Sequence, residues 1–222
     1  MASIVQRNKS FSVVYTIYDG EKKRQKWETY HSYEAALRRK EQLDLIQQHE
    51  KERAKYHKAK ASGAAHVMVG NIGQIALAKE SGLTVHGDFR LNLQNSYAAS
   101  VFEDMEDLLL SPELLLPQMR DIPAKKSAIV YGRVPLMTLE KSCGTTQLID
   151  RMKKAFPVIR EGGRELVLNS LPIYMADKQD LLKPAHMGYH YVFTTEGPQE
   201  VKNVLSSYVR SLPTKKEVRR MK

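Results

Sequence analysis

The sequence predicts a mixed α/β (α+β overall) fold: a small three-stranded sheet plus helix, then a partial (β/α) barrel with an added β-hairpin. Three observations lead there. Four short apolar runs, at 66–71, 83–88, 108–113 and 128–133, each stop at a polar or glycine-bearing tip. Their starts lie 17, 25 and 20 residues apart, with helix-like sequence in at least the first three gaps. That is the rhythm of strand, crossover helix and next parallel strand, because strands buried on both faces need continuous apolar runs. Ahead of them lie three segments rich in β-branched and aromatic residues, and after them a pair of strands flanks Gly162-Gly163.

The first strands are expected at 3–7, 11–18 and 24–30, with turns at Asn8-Lys9-Ser10 and at Asp19-Gly20-Glu21-Lys22-Lys23. Phe11, Val13, Tyr15 and Ile17 alternate with Ser12, Val14, Thr16 and Tyr18, so one face is to be covered and the other left open. Ser32 is the expected N-cap of a helix that turns Tyr33, Ala36, Leu37, Leu43 and Ile46 to one side, with Glu34 favourably placed in its first turn. Beyond Gln47 the helix has no apolar face, so its end is expected to project or to link domains. A basic sheet of this size fits a DNA major groove, with Lys22, Lys23, Arg24 and Lys26 on phosphates. Ser12, Thr16 and Lys26 are the expected readers of base edges. If Trp27 supports the sheet–helix core, replacing it by alanine is expected mainly to damage folding. Met1-Ala2-Ser3-Ile4-Val5-Gln6-Arg7, Phe11-Ser12-Val13-Val14-Tyr15 and Lys23-Arg24-Gln25-Lys26-Trp27-Glu28-Thr29-Tyr30, followed by Glu34-Ala35-Ala36, resemble the amino-terminal arm-binding domain of phage-type tyrosine recombinases (integrases). The resemblance covers residues 1–55 and implies duplex DNA binding; that family's catalytic domain has no counterpart here.

Residues 56–65 are small and basic, as linkers often are. Gly70-Asn71-Ile72-Gly73-Gln74 then leads into a short helix stopped at Gly82. Its two glycines lack the third glycine of a dinucleotide fingerprint, so no cofactor is expected there. In α/β architectures the carboxyl ends of strands form the ligand edge, which gathers Asn71, His86, Asp88, Glu113, Tyr131 and Arg133 at one mouth, with Asn95 in a following loop. His86 and Asp88 share a face of an extended strand. They either grip and protonate a ligand or, respectively, bond a neighbouring strand end and cap the next helix. Glu113 either meets a ligand or sits in a first helical turn behind Ser111-Pro112. Arg133 either receives a ligand carboxylate or pairs with Glu113 or Glu140. Cys143 has no histidine partner for nucleophilic chemistry, and the histidines show no metal-ligand spacing.

Val69-Gly70-Asn71-Ile72-Gly73-Gln74-Ile75-Ala76-Leu77-Ala78, Val85-His86-Gly87-Asp88-Phe89, Asn95-Ser96-Tyr97-Ala98, Leu110-Ser111-Pro112-Glu113-Leu114 and Val130-Tyr131-Gly132-Arg133-Val134-Pro135-Leu136-Met137 resemble the collagenase-like peptidase family U-32. The likeness continues through Phe156-Pro157-Val158, Leu168-Asn169-Ser170, Ile173-Tyr174-Met175-Ala176-Asp177 and Phe193-Thr194-Thr195-Glu196 to a helix opened by Pro198. It implies (β/α)8 ancestry over residues 64–210, with only the later strand–helix units present. It also implies that the recombinase-like segment stands in place of the first half-barrel and its cysteine-containing signature. A single thiol, Cys143, cannot hold the iron–sulfur cluster some relatives use.

Charge follows the same division. Residues 1–62 carry 14 Lys+Arg against 8 Asp+Glu, residues 63–209 carry 15 against 16, and residues 210–222 carry 6 against 1. A polyanion is therefore expected to touch the ends of the chain. The basic tail, 211–222, reads as a frayed terminus. No apolar stretch approaches a membrane span, the first residues lack the apolar core of a signal peptide, and one cysteine fits a reducing compartment, so the expectation is a cytoplasmic protein without a membrane partner. Three functions compete: a truncated or partner-dependent U-32 relative, a DNA-binding fragment of an integrase-like mobile element, and a non-functional gene fusion. Expected partners are duplex DNA through residues 1–60, and a complementing half-barrel chain or a second copy.

Overall fold

Strand alternation at the amino end yields a sheet with one covered face. In the computed structural model, which describes residues 2–19, 22–194, 196–213 and 218–219, β1 (Ser3–Arg7), β2 (Ser10–Asp19) and β3 (Lys22–Tyr30) form an antiparallel sheet in that order. Gly20 and Glu21, at the expected turn, lie outside the described residues. Val13 and Tyr15 pack with Ala2 against Ala36 and Leu43 of α1 (Tyr33–Ala61), while Ile4, Phe11 and Tyr30 close the edges. Removing a side chain such as Val13 from water contributes about 1.5–3 kcal/mol. Tyr33 and Ile46, expected on the buried side of α1, are exposed. Tyr33 instead meets the edge of the Phe11 ring at 5.5 Å. Ser32 is the N-cap residue, without a side-chain capping bond.

Pairing fixes which β3 residues share that covered side, since opposed residues on neighbouring strands point the same way. Lys26 stands opposite Tyr15 and Arg24 opposite Ile17, so both lie on the helix side. Trp27 stands opposite Val14, on the other face, and is 45% exposed with the Arg7 guanidinium 5.0 Å over its ring. Two expectations are thereby corrected: Trp27 is not in the sheet–helix core, and Lys26 does not share a face with Ser12 and Thr16.

α1 continues past Gln47 as a polar helix to Ala61, so residues 56–61 of the expected linker are helical. Its second half is tied to the segment holding α2 (Ile72–Glu80) by Gln74 to Glu52 at 3.4 Å, Arg53 to Glu80 at 3.8 Å and Lys60 to the Gly82 carbonyl at 2.7 Å. Those contacts put Gly73–Thr84 in the same compact unit as Met1–Val67. The second unit comprises Met68–Ile72 and Val85–Lys222.

The apolar runs become a sheet, most of which belongs to the second unit. β5 (Thr84–Gly87), β6 (Leu108–Leu109) and β7 (Lys126–Gly132) are neighbours in parallel, and β4 (His66–Val69) lies beside β5. β7 is buried along its whole length, as its unbroken apolar centre requires. A further parallel strand, β13 (Gly188–Val192), pairs with β7, and the two-residue β12 (Ile173–Tyr174) pairs with it antiparallel. The crossovers are thinner than the spacing suggests: α3 is Ser96–Ser100 and α4 is Leu116–Asp121. α5 (Gln179–Leu182) is a single turn, and α6 (Pro198–Arg210) closes the unit through Tyr208. The Tyr208 hydroxyl donates to the Val130 carbonyl and accepts the Met175 amide at 2.8 Å.

The chain segment between β7 and β12 forms a separate antiparallel sheet ordered β8 (Pro135–Leu139), β11 (Arg164–Leu168), β10 (Ala155–Glu161) and β9 (Gln147–Ile149). The expected hairpin is its β10–β11 pair, here extended by two outer strands. The tail is only partly as expected. Residues 214–217 and 220–222 lie outside the described residues, but Arg219 pairs with β12: its amide donates to the Pro172 carbonyl at 2.9 Å, and the Tyr174 amide donates to its carbonyl at 3.2 Å. No helix among the described residues is long and apolar enough to cross a membrane.

Candidate ligand site at the strand ends

Residues beyond β5, β6 and β7 line a pocket of about 340 Å³, with Phe89, Arg90, Asn92, Glu113, Leu136 and Arg219 in its wall. Asp88, which follows β5, is buried and opens a 3-10 turn by accepting the Arg90 amide at 2.9 Å. Both of its oxygens also bind the Arg90 side chain, from Nε at 2.9 Å and from a terminal nitrogen at 3.1 Å. This contact raises the Arg90 pKa above its ordinary value against the opposing effect of burial, and Glu161 adds a smaller pull. Gly70 backs the arrangement: a Cβ there would lie 2.8 Å from Arg90 Nε. Across the pocket Gln94 Nε2 donates to Asn92 at 2.9 Å and to Glu113 at 3.3 Å.

The expected mouth residues separate into distinct roles. Asp88 caps a turn and orients an arginine. Glu113 does line the pocket, but not from a first helical turn. Its amide donates to Ser111 Oγ at 3.4 Å in a turn, and α4 begins only at Leu116, because Pro117 suits an early helical position. Asn95 caps α3 by accepting the Ala98 amide at 2.8 Å. Asn71 is exposed at the end of its strand. Arg133 pairs with neither glutamate; it donates to the carbonyls of Asn169, at 2.5 Å, and Ser170. Tyr131 donates to Glu196 at 3.3 Å beside the Phe193 ring. Burial, reinforced by Glu196 and Glu200, drives its pKa far up.

His86 belongs to a different group. Its Nδ1 is in hydrogen-bond contact with Asp107, which precedes β6. Ser127 Oγ donates to the same carboxylate at 2.8 Å, and His190 Nε2 of β13 lies 3.8 Å from it. The neighbours of His190, Tyr189 and Tyr191, pack their rings on Tyr208 at 6.4 and 5.0 Å, so His190 faces away from α6. His190, then burial acting the other way, then His86 and Ser127 set the Asp107 pKa, with the net result far below the usual carboxylate range. The side chains of His86, Asp107 and His190 remain 24%, 25% and 31% exposed. A fixed anion that orients two imidazoles is suited to moving a proton. His86 and Asp88 therefore do not act as a pair. Sequence reasoning missed Asp107, Ser127, His190, Arg90 and Arg219; the one local hint was a histidine between two tyrosines in an alternating strand. Among the described residues no group of three or more His, Cys, Asp or Glu side chains is arranged to hold a metal ion.

On the first sheet Ser12 and Thr16 lie on the face that α1 does not cover, with Lys23, Gln25, Trp27, Thr29 and Arg7, but Ser12 is itself buried, so the expectation that it reads base edges is corrected. Ser12 and Thr29 join hydroxyls across the strands at 3.1 Å. Lys22, Arg24 and Lys26 are exposed but belong to the helix side.

No family model, curated protein or solved structure matches this chain.

Proposed function

We propose that residues 66–210 are the later half of a (β/α) barrel related to the collagenase-like peptidase family U-32, active only when a complementing chain supplies the missing strands. The observation that carries this reading is strand order: β5, β6, β7 and β13 run parallel in chain order, with β4 beside β5. The carboxyl ends of β5, β6 and β7 lead to the pocket, as ligand sites do in such folds. In this reading the pocket binds and the Asp107-centred histidines transfer protons. The test mixes the full chain with the separately expressed first half of a full-length family member, and follows association by size-exclusion chromatography and cleavage of labelled gelatin. A stable heterodimer with turnover lost in His190→Ala is expected. No association and no turnover overturns the proposal in favour of a non-functional fusion.

A specific observation favours a second activity in the first unit. Its sheet leaves one face uncovered by α1, bearing hydroxyl, amide and cationic side chains, and residues 1–62 carry six more basic than acidic side chains. We propose that this face binds duplex DNA, chiefly through phosphates.

A further inference from the structure

We infer that the pocket beyond β5, β6 and β7 is a binding site for a small ligand bearing a carboxylate or phosphate group, recognised by Arg90 and Arg219. The inference is independent of whether the chain is an enzyme. Arg90 is built into its position: a buried carboxylate takes Nε and one terminal nitrogen, and Gly70 leaves no room behind it for a Cβ. Yet the Arg90 side chain remains 66% exposed, so its remaining donor edge is available to an incoming anion. Burying the Asp88 carboxylate costs desolvation that its bonds to the Arg90 amide and guanidinium offset, and those bonds hold the guanidinium in place. The second cation, Arg219, is fixed through its backbone to β12 and lines the same pocket; its guanidinium has no partner among the described residues. Among the described wall residues Glu113 is the one acid, and it accepts from Gln94, which also donates to Asn92. It disfavours a dianion close by and favours a ligand that presents a hydroxyl or amine donor next to its acidic group. A volume of about 340 Å³ admits a small organic acid or a phosphate ester and excludes a folded chain.

The test follows the Nε–H resonances of Arg90 and Arg219 by NMR in the full chain, as inorganic phosphate or acetate is added at constant ionic strength against chloride. Saturable shifts at both arginines are expected, and the anion that saturates first assigns the phosphate or the carboxylate class. Arg219→Gln, which leaves the buried Asp88–Arg90 pair intact, should weaken binding about fivefold. Glu113→Gln should tighten it about threefold by removing a like charge. Gly70→Ala keeps both cations but displaces Arg90, and should weaken binding without unfolding the chain. Linear shifts equal to those in chloride, or affinity unchanged in Arg219→Gln, would overturn the inference.

Discussion

Glu28 is an acid held in its charged form by three neighbours. Arg39 reaches it through Nε at 2.8 Å and a second nitrogen at 3.2 Å, Tyr15 donates at 2.5 Å and Tyr30 at 2.9 Å. Arg39 contributes most and Tyr15 next; against some desolvation they pull its pKa from 4.5 down to about 2. Because the folded value is depressed, the stabilisation is complete above the unfolded pKa near 4.5 and disappears as pH falls towards 2. Glu28→Gln should therefore cost about 1 kcal/mol at neutral pH, discounted for the partial exposure of the ion pair. It should also flatten stability against pH between those two values, and urea titrations of both proteins at several pH values would show it. An unchanged acid limb would mean that the cluster is formed but contributes nothing. This residue-level wiring was not legible in the sequence. The run Lys22–Tyr30 is polar on both faces, so its own pattern carries no phase, and its largest apolar residue, Trp27, looked like a core residue. Pairing with β2, whose phase is plain, decides the matter.

Strands whose burial is two-sided were readable, and those whose burial is mixed were not. β7 stands out as an apolar run and is buried throughout, while β13, with burial intermediate at four of its five residues, is half-polar and carries a register shift after His190. The close approach of these two strands has a sequence trace in Gly132. Its φ is +120°, and a Cβ there would lie 2.0 Å from the Val192 carbonyl oxygen. The clash is with backbone, so no rotamer change relieves it. Gly132→Ala should destabilise the second unit by about 3 kcal/mol or more, combining an unfavourable backbone conformation with forced strand separation. Thermal unfolding followed by tyrosine fluorescence is the measurement, since Tyr131, Tyr189 and Tyr191 all report on this strand pair; a melting temperature equal to that of the parent chain would contradict it. The helical crossovers were overestimated for a related reason. Apolar residues after β5 and β6, such as Leu93, Met105 and Leu114, are buried from turns as well as from helices. Apolar content therefore did not measure helix length.

At the scale of the whole molecule, charge separates the parts more cleanly than hydrophobicity does. Residues 63–209 are nearly neutral, and residues 1–62 hold an excess of six basic over acidic side chains. If the uncovered face of the first sheet meets DNA, the pairing changes which residues matter. Arg7 and Lys23 flank Thr16, Gln25 and Thr29 on that face, whereas Arg24 and Lys26 point to the helix side. About four phosphate contacts would give a slope of roughly −4 in log affinity against log salt. Replacing Arg7 and Lys23 together by alanine should reduce that slope by about 2, while the Arg24 and Lys26 pair should change it by less than about 1. Trp27→Ala removes a side chain that is 45% exposed and should leave the chain folded, but it frees Arg7 from its ring and should weaken binding. Fluorescence anisotropy of a labelled duplex with the full chain, across a salt series, separates these outcomes. Equal losses from both pairs would indicate diffuse attraction to a basic domain. A dominant loss from Arg24 and Lys26 would place the DNA against the helix side and eliminate the uncovered face as the binding surface.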